Sequence, residues 1–223
     1  MTPTRADRGA YHHGDLANAL TRAATELART GGPEAVVLRE AARQVGVSAT
    51  AAYRHFAGHG ELIHAVKMHA LNRLVAAMEV ELAASPPLAD RVEDAYRRLS
   101  ALGVGYVTFA LSEAGLFRTA FCRTDRPDIH PDHGMQAGDT RPYQLLTEVL
   151  DDLVEAGALD PARREFAEMM AWSTVHGLAL LMLEGPLRDL PRRPARPSSP
   201  ARSPTSATPS PPADRHPSRA PRA

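Results

Sequence analysis

The sequence predicts an all-α protein, and three observations carry that prediction. Hydrophobic residues make up 43% of the 223 residues but aromatics only 5%, so the core must be built mainly from Ala, Leu and Val, which favours helices over sheets. Apolar residues recur at helical spacing, as in Leu16, Ala19, Leu20, Ala23, Ala24 and Leu27. Helix-stopping residues punctuate these runs at Gly31-Gly32-Pro33, Gly46, Pro86-Pro87 and Gly157. Within this class the chain is expected to divide into a flexible basic arm (1–10), a first, three-helix unit (11–60), a larger helical domain (61–185) and a disordered Pro/Arg-rich tail (186–223).

The chain is organised around Leu38 to Phe56, LREAARQVGVSATAAYRHF. Leu38, Ala41, Ala42 and Val45 describe one short helix that stops at Gly46, where a left-handed backbone costs nothing. Ser48 can cap a second helix whose apolar face is Ala52 and Phe56, with Tyr53, Arg54 and His55 beside it. Two short helices joined by a Gly-containing turn describe a helix-turn-helix, whose second helix enters the major groove. Tyr53 and His55 are suitable donors to phosphate oxygens, and Arg54 adds charge. The alternative is an ordinary helical hairpin with Tyr53 in the core and His55 on the surface.

The flanking residues favour the first reading. From YHHGDL at Tyr11 to GHGELIHAV ending at Val66, the chain resembles the DNA-binding domain of TetR-family transcriptional repressors. The likeness includes Ala42, Gly46-Val47-Ser48, Tyr53-Arg54-His55-Phe56 and then Glu61-Leu62 opening a long helix. Downstream, WSTVHGLALL from Trp172 resembles the Trp, His and Gly pattern of one ligand-binding subclass of that family.

The resemblance implies a set of DNA-facing positions. Arg39, in the first turn of the second helix, matches one that approaches the groove, and Arg reads guanine bidentately. The alternative for Arg39 is pairing with Glu40 or solvent. Ser48, Ala49, Thr50 and Ala51 open the recognition helix. The alanines can touch a thymine methyl but make no hydrogen bonds, so readout leans on Arg39, Thr50 and Arg54, with DNA shape supplying the rest. Modest specificity per half-site is expected. The chain departs from the family at Val37, where a capping Ser or Thr is usual, and at His59, where a phosphate-binding Lys is usual. His59 carries full charge only when protonated, so DNA affinity should rise on acidification more steeply than with Lys.

Long helices follow, at about Gly60 to Ala84, Leu88 to Leu111, Arg141 to Ala156 and Pro161 to Glu184. Gly105 to Cys122 concentrates aromatics, which are either core or, as the resemblance implies, walls of a ligand cavity. The candidate cavity residues are Met68, Leu71, Leu102, Tyr106, Phe109, Phe117, Phe121, Trp172 and His176. Trp172 and His176 lie four residues apart on one helical face; His176 reads equally as a satisfied core histidine. The apolar faces of the last two helices, Leu145, Leu146, Val149, Leu150 and Leu153, then Phe166, Met169, Met170, Val175, Leu178 and Leu181, exceed what one interior needs. In the family the last two long helices build a four-helix dimer interface, and a two-fold dimer suits a palindromic operator.

Charge is unevenly placed although the net is zero. Residues 1–60 carry +2, residues 61–185 carry −8 and residues 186–223 carry +6. A basic end on an acidic body suits a protein that meets DNA at one end. The single Cys122 excludes an intramolecular disulfide framework and a multi-thiolate metal site. His12-His13 with Asp15, and Asp128, His130, Asp132 and His133 in a Pro-containing polar stretch, are spaced poorly for ligation, and no metal or cofactor is expected. Neither a signal sequence nor a run of the ~20 apolar residues a membrane span needs is evident, which points to the cytoplasm and away from a membrane partner. The last 38 residues hold eleven Pro, eight Arg and no Gly, which predicts a solvated tail able to add salt-sensitive DNA affinity.

The expected function is that of a homodimeric regulator, most simply a repressor released from a palindromic operator by a small-molecule effector. The rival is a helical ligand- or protein-binding dimer that has lost operator binding. A helical enzyme would have only Ser173 or Cys122 with His176 or His130 as nucleophile and base, with no elbow motif or phosphate loop, and none is expected.

Overall fold

The computed structural model describes residues 5–123 and 140–189, with side chains from residue 15 onward. Eight α-helices and no strand occur among the described residues: α1 Arg5–Gly31, α2 Leu38–Val45, α3 Ala49–Tyr53, α4 His59–Ala84, α5 Arg91–Ser112, α6 Ala114–Phe121, α7 Arg141–Glu155 and α8 Ala167–Leu183. The His12-His13 side chains, the 124–139 stretch with Asp128, His130, Asp132 and His133, and the tail from 190 lie outside the described residues.

One core runs through the described body. Leu20, Ala24 and Ala28 of α1, Leu38, Ala41 and Ala42 of α2, and Ala52 and Phe56 pack on Leu62, Ile63 and Val66 of α4. The same cluster continues through Leu71, Leu74 and Met78 to Tyr106, Phe117, Val149 and Ala179. Helix α4 is the shared member. It touches α1, α5, α6 and α7, and it passes so close to α5 that a Cβ on Gly105 would stand 2.6 Å from the Met78 Cα.

The helix ends report local chemistry. Gly46 closes α2 at φ 79, ψ 28, and its N–H donates to Ala42 and Arg43 carbonyls, as the sequence predicts. Gly157 takes φ 76 two residues beyond α7. Three boundaries differ from expectation. The backbone is helical from Arg5, within the stretch read as an arm, since Pro3 is the last residue that interrupts a helix there. Helix α5 begins at Arg91 rather than Leu88, because the Asp90 carboxylate caps it by accepting from the Glu93 N–H at 2.9 Å. The final helix begins at Ala167 rather than Pro161. Asp160 caps a separate 3₁₀ turn over Pro161–Arg163, and Phe166 adopts φ 62, a left-handed conformation that breaks the two apart.

The two last helices also differ in where their apolar faces go. Leu145, Leu146, Val149, Leu150 and Leu153 of α7 are all buried within the chain. Phe166 before α8, and Met169, Met170, Leu178, Leu180 and Leu181 on it, are exposed, Met170 by 69%. The apolar excess therefore lies on α8 and its lead-in rather than on both helices.

Candidate DNA-binding surface and regulatory cleft

Helices α2 and α3 are held by their inner faces. Leu38, Ala41, Ala42, Ala52 and Phe56 are buried, so the opposite faces project outward as a set. Ser48 has extended backbone geometry and its Oγ accepts from the Ala51 N–H at 3.1 Å, which starts α3 at Ala49. Arg39, Ser48, Thr50, Tyr53, Arg54 and His59 are exposed, while Ala49, Ala51 and His55 are half-buried. Tyr53 is 47% exposed, which answers the hairpin alternative that placed it in the core.

Glu40 does not neutralise Arg39. Its carboxylate receives the Arg43 guanidinium at 2.8 and 2.6 Å and the Gln44 amide at 3.3 Å, and the Arg43 bond holds the carboxyl below its ordinary range. Among the described residues Arg39 has no acid partner. Val37 occupies the N-cap of α2 with no side-chain bond, as the sequence implies. One helper was not anticipated: the Glu61 carboxylate accepts from the Ala57 N–H at 2.7 Å and fixes the turn that presents His59. The signal was present as an acid in the first turn of α4, which is where a reciprocal cap belongs.

A second feature lies between α5, α7 and α8. A half-open cleft of about 510 Å³ is walled by Leu99, Leu102 and Gly103 of α5, Leu146, Leu150 and Leu153 of α7, and Ala167, Ala171 and Val175 of α8. It exists because Gly103, Ala167 and Ala171 are small where three helices meet. The space separates the main core from a smaller one built on Ala95, Leu146, Leu150 and Leu153, with Leu99 and Trp172 packed against both.

Of the nine expected cavity residues, Leu102, Tyr106 and Trp172 line this cleft. Leu71, Phe109 and Phe117 belong to the buried core, and Met68 is 38% exposed on α4. Phe121 and His176 instead join an aromatic cluster behind the cleft wall. Their ring centroids are 4.9 Å apart, and Trp172 meets Tyr106, Phe121 and Tyr143 at 5.8, 5.9 and 6.0 Å. His176 Nδ1 lies 2.8 Å from the Tyr106 hydroxyl, and burial lowers the pKa of His176. Tyr96 and Arg163 line the cleft without a sequence signal; Leu146 and Leu150 were visible only as an apolar stripe.

Of the residues weighed as nucleophile and base, His130 lies outside the described residues. Burial pushes the Cys122 thiol up, and its Sγ contacts the Thr119 carbonyl at 3.1 Å. Ser173 is exposed, and Nδ1 of His176 is engaged by Tyr106.

Comparisons with known proteins agree with this architecture. Residues 20–66 match the model described as bacterial regulatory proteins, tetR family, and residues 99–198 match the tetracyclin repressor-like, C-terminal domain. A solved protein of unknown function from Rhodococcus sp. RHA1 is 26% identical, with a TM-score of 0.64 over 81% of this chain and 89% of that one. The TetR family transcriptional regulator PfmR from Thermus thermophilus is 22% identical, with a TM-score of 0.50 over 72% of this chain and 84% of that one. SCO4313, described as a regulatory protein, shares the fold at 20% identity and a TM-score of 0.53, over 84% of this chain and 91% of that one. No curated protein matches the sequence. With the two models matched in order and together spanning well over half of the sequence, the chain belongs to the TetR family of DNA-binding transcription regulators.

Proposed function

We propose that the protein is a cytoplasmic repressor that binds a palindromic operator as a homodimer and is released by a small molecule held in the α5–α7–α8 cleft. The observation that carries this reading is the single core joining the two features: Leu62 and Val66 of α4 pack under the helix-turn-helix, and Met78 of the same helix lines the cleft. A ligand that changes how α4 and α5 pack would change the separation of the two recognition helices, which must match half-sites ~34 Å apart. The exposed apolar residues of α8 support dimerisation, since Met169, Met170, Leu178 and Leu181 on one helix leave apolar surface that water solvates poorly. The Trp172, His176 and Gly177 spacing supports placing the chain in the Trp-His-Gly subclass.

A second reading, a helical ligand- or protein-binding dimer that has lost operator binding, draws on the uncapped start of α2 at Val37 and on His59 at the start of α4 in place of the family's usual Lys. The test is binding to DNA from upstream of the protein's own gene at two salt concentrations, beside a Tyr53→Ala, His55→Ala double variant. Binding that weakens with salt and is abolished in the variant supports the repressor reading. Equal binding by the variant moves the contact to the Arg-rich tail, and the absence of binding favours the second reading.

A further inference from the structure

We infer that the cleft takes an amphiphilic monoanion, an apolar body carrying one carboxylate, with Arg163 as the contact for the head. This rests on reading the cleft as the effector site and names the ligand class. The walls are almost wholly hydrocarbon, and the hydroxyls among them are already hydrogen-bonded. Tyr96 donates to the Ala158 carbonyl at 3.3 Å, Thr174 donates to the Met170 carbonyl at 2.8 Å, and Tyr106 pairs with His176 Nδ1 at 2.8 Å. A ligand with many polar groups would lose its water without replacement, whereas an apolar body loses nothing.

The charge at the rim decides the rest. Among the described residues, Arg163 is the one ionisable group lining the cleft that carries charge at neutral pH, and no carboxylate among them lines it. Of the acids around this turn, Asp160 accepts from the Ala162 N–H at 2.9 Å, Arg164 takes Asp151 at 2.8 Å and Glu168 at 2.7 Å, Thr147 donates to Glu168 at 3.2 Å, and Glu165 forms no ion pair with Arg163. Among the described residues the Arg163 guanidinium has no acid partner. An exposed guanidinium at the mouth of a dry cleft attracts an anionic head and repels a cationic one. Because the head remains near water, the preference is moderate, on the order of fivefold to tenfold.

Trp172 is the only tryptophan of the chain and lines the cleft, so its emission reports occupancy. The full-length protein is titrated with decanoate, decan-1-ol and decylamine below their aggregation limits. Decanoate should bind fivefold to tenfold more tightly than the alcohol, with the amine weakest. Arg163→Met should erase the advantage of the acid while leaving alcohol affinity unchanged. Gly103→Leu should weaken all three, because the added side chain fills the cleft; its Cβ meets only Val175 Cγ1, at an ordinary 3.8 Å. Equal binding of acid and alcohol, or an advantage that survives Arg163→Met, overturns the proposal. So does binding untouched by Gly103→Leu, which would move the alkyl chain to the exposed face of α8, or loss of the dimer in Gly103→Leu without acid binding, which would give the cleft to a second copy. Operator release is read separately. Arg163-dependent binding without release defeats the effector reading and leaves the ligand class standing, while release by ligands indifferent to Arg163 does the reverse.

Discussion

The Tyr106 hydroxyl on α5 and Nδ1 of His176 on α8 share a hydrogen bond of 2.8 Å. Burial raises the Tyr106 pKa far above the phenolic range, so the phenol keeps its proton, and the His176 tautomer sets which of the two donates. The bond pins α8 to α5 behind the cleft. Tyr106→Phe keeps the ring contacts with Phe117 and Trp172 but leaves Nδ1 without its hydrogen-bond partner. The expected cost is about 1–2 kcal/mol, read as a lower urea midpoint at unchanged slope. An unchanged midpoint would mean that water replaces the hydroxyl.

The same histidine gives stability a pH dependence with a definite sign. Burial lowers its folded pKa, and its ring neighbours are Tyr106, Phe117 and Phe121, none of them a carboxylate. The unfolded chain therefore takes up this proton first. The contribution is complete above the unfolded pKa near ~6.5 and is lost as pH falls from there toward the depressed folded value. His176→Gln should flatten the stability profile in that window. Parallel profiles for the two proteins would remove His176 as the cause.

Val37 offers a gain. It is 46% exposed, sits at φ −118, ψ 121 and leaves the first N–H groups of α2 without a side-chain acceptor. Serine adopts that backbone geometry and supplies the acceptor, so Val37→Ser should stabilise by about 0.5–1 kcal/mol. Thermal unfolding checks it, and a lower melting temperature would show that the exposed valine packs usefully.

The helix-turn-helix was legible because its determinants are local: Gly46 needs a left-handed turn, Ser48 caps the next helix within the same window, and Ala52 and Phe56 repeat at helical spacing. The cleft was only partly legible, because it is made where helices distant in sequence fail to fill space. Phe109, Phe117 and Phe121 carried an aromatic signal but pack into the core and the cluster behind the wall, whereas Gly103 and Ala171 matter by being small. The break before α8 was missed for a related reason. Pro161 is a good helix start, yet nothing local announces that Phe166 will be left-handed.

Glu113 ends α5 and accepts from both Arg29 of α1 and Arg73 of α4. Its side chain is only 11% exposed, while Arg29 and Arg73 are 31% and 45% exposed, so the Arg29 bond should be the stronger. Glu113→Gln should cost about 1–2 kcal/mol. Double-mutant cycles with Arg29→Met and Arg73→Met should give larger coupling to Arg29. Coupling near zero in both would reduce the cluster to a surface contact.

Gly115 sets how α6 meets α1. A Cβ there would stand 2.2 Å from the Ala28 carbonyl oxygen and 2.4 Å from that of Arg29, backbone atoms with no flexible end to give way. Helix propensity alone favours Gly115→Ala by up to ~1 kcal/mol, but relieving the clash must push α6 and α1 apart, and a net loss of about 2–3 kcal/mol is expected. Gly103→Ala, also inside a helix, is the control, since its Cβ meets only an ordinary contact and should be neutral or slightly stabilising. Because α1 carries Leu20 and Ala24 against the helix-turn-helix core, operator affinity should fall with stability in the first variant and not in the second. Equal unfolding midpoints for the two would mean that α6 moves freely off α1, and the coupling proposed between cleft and DNA would then have to run through α4 alone.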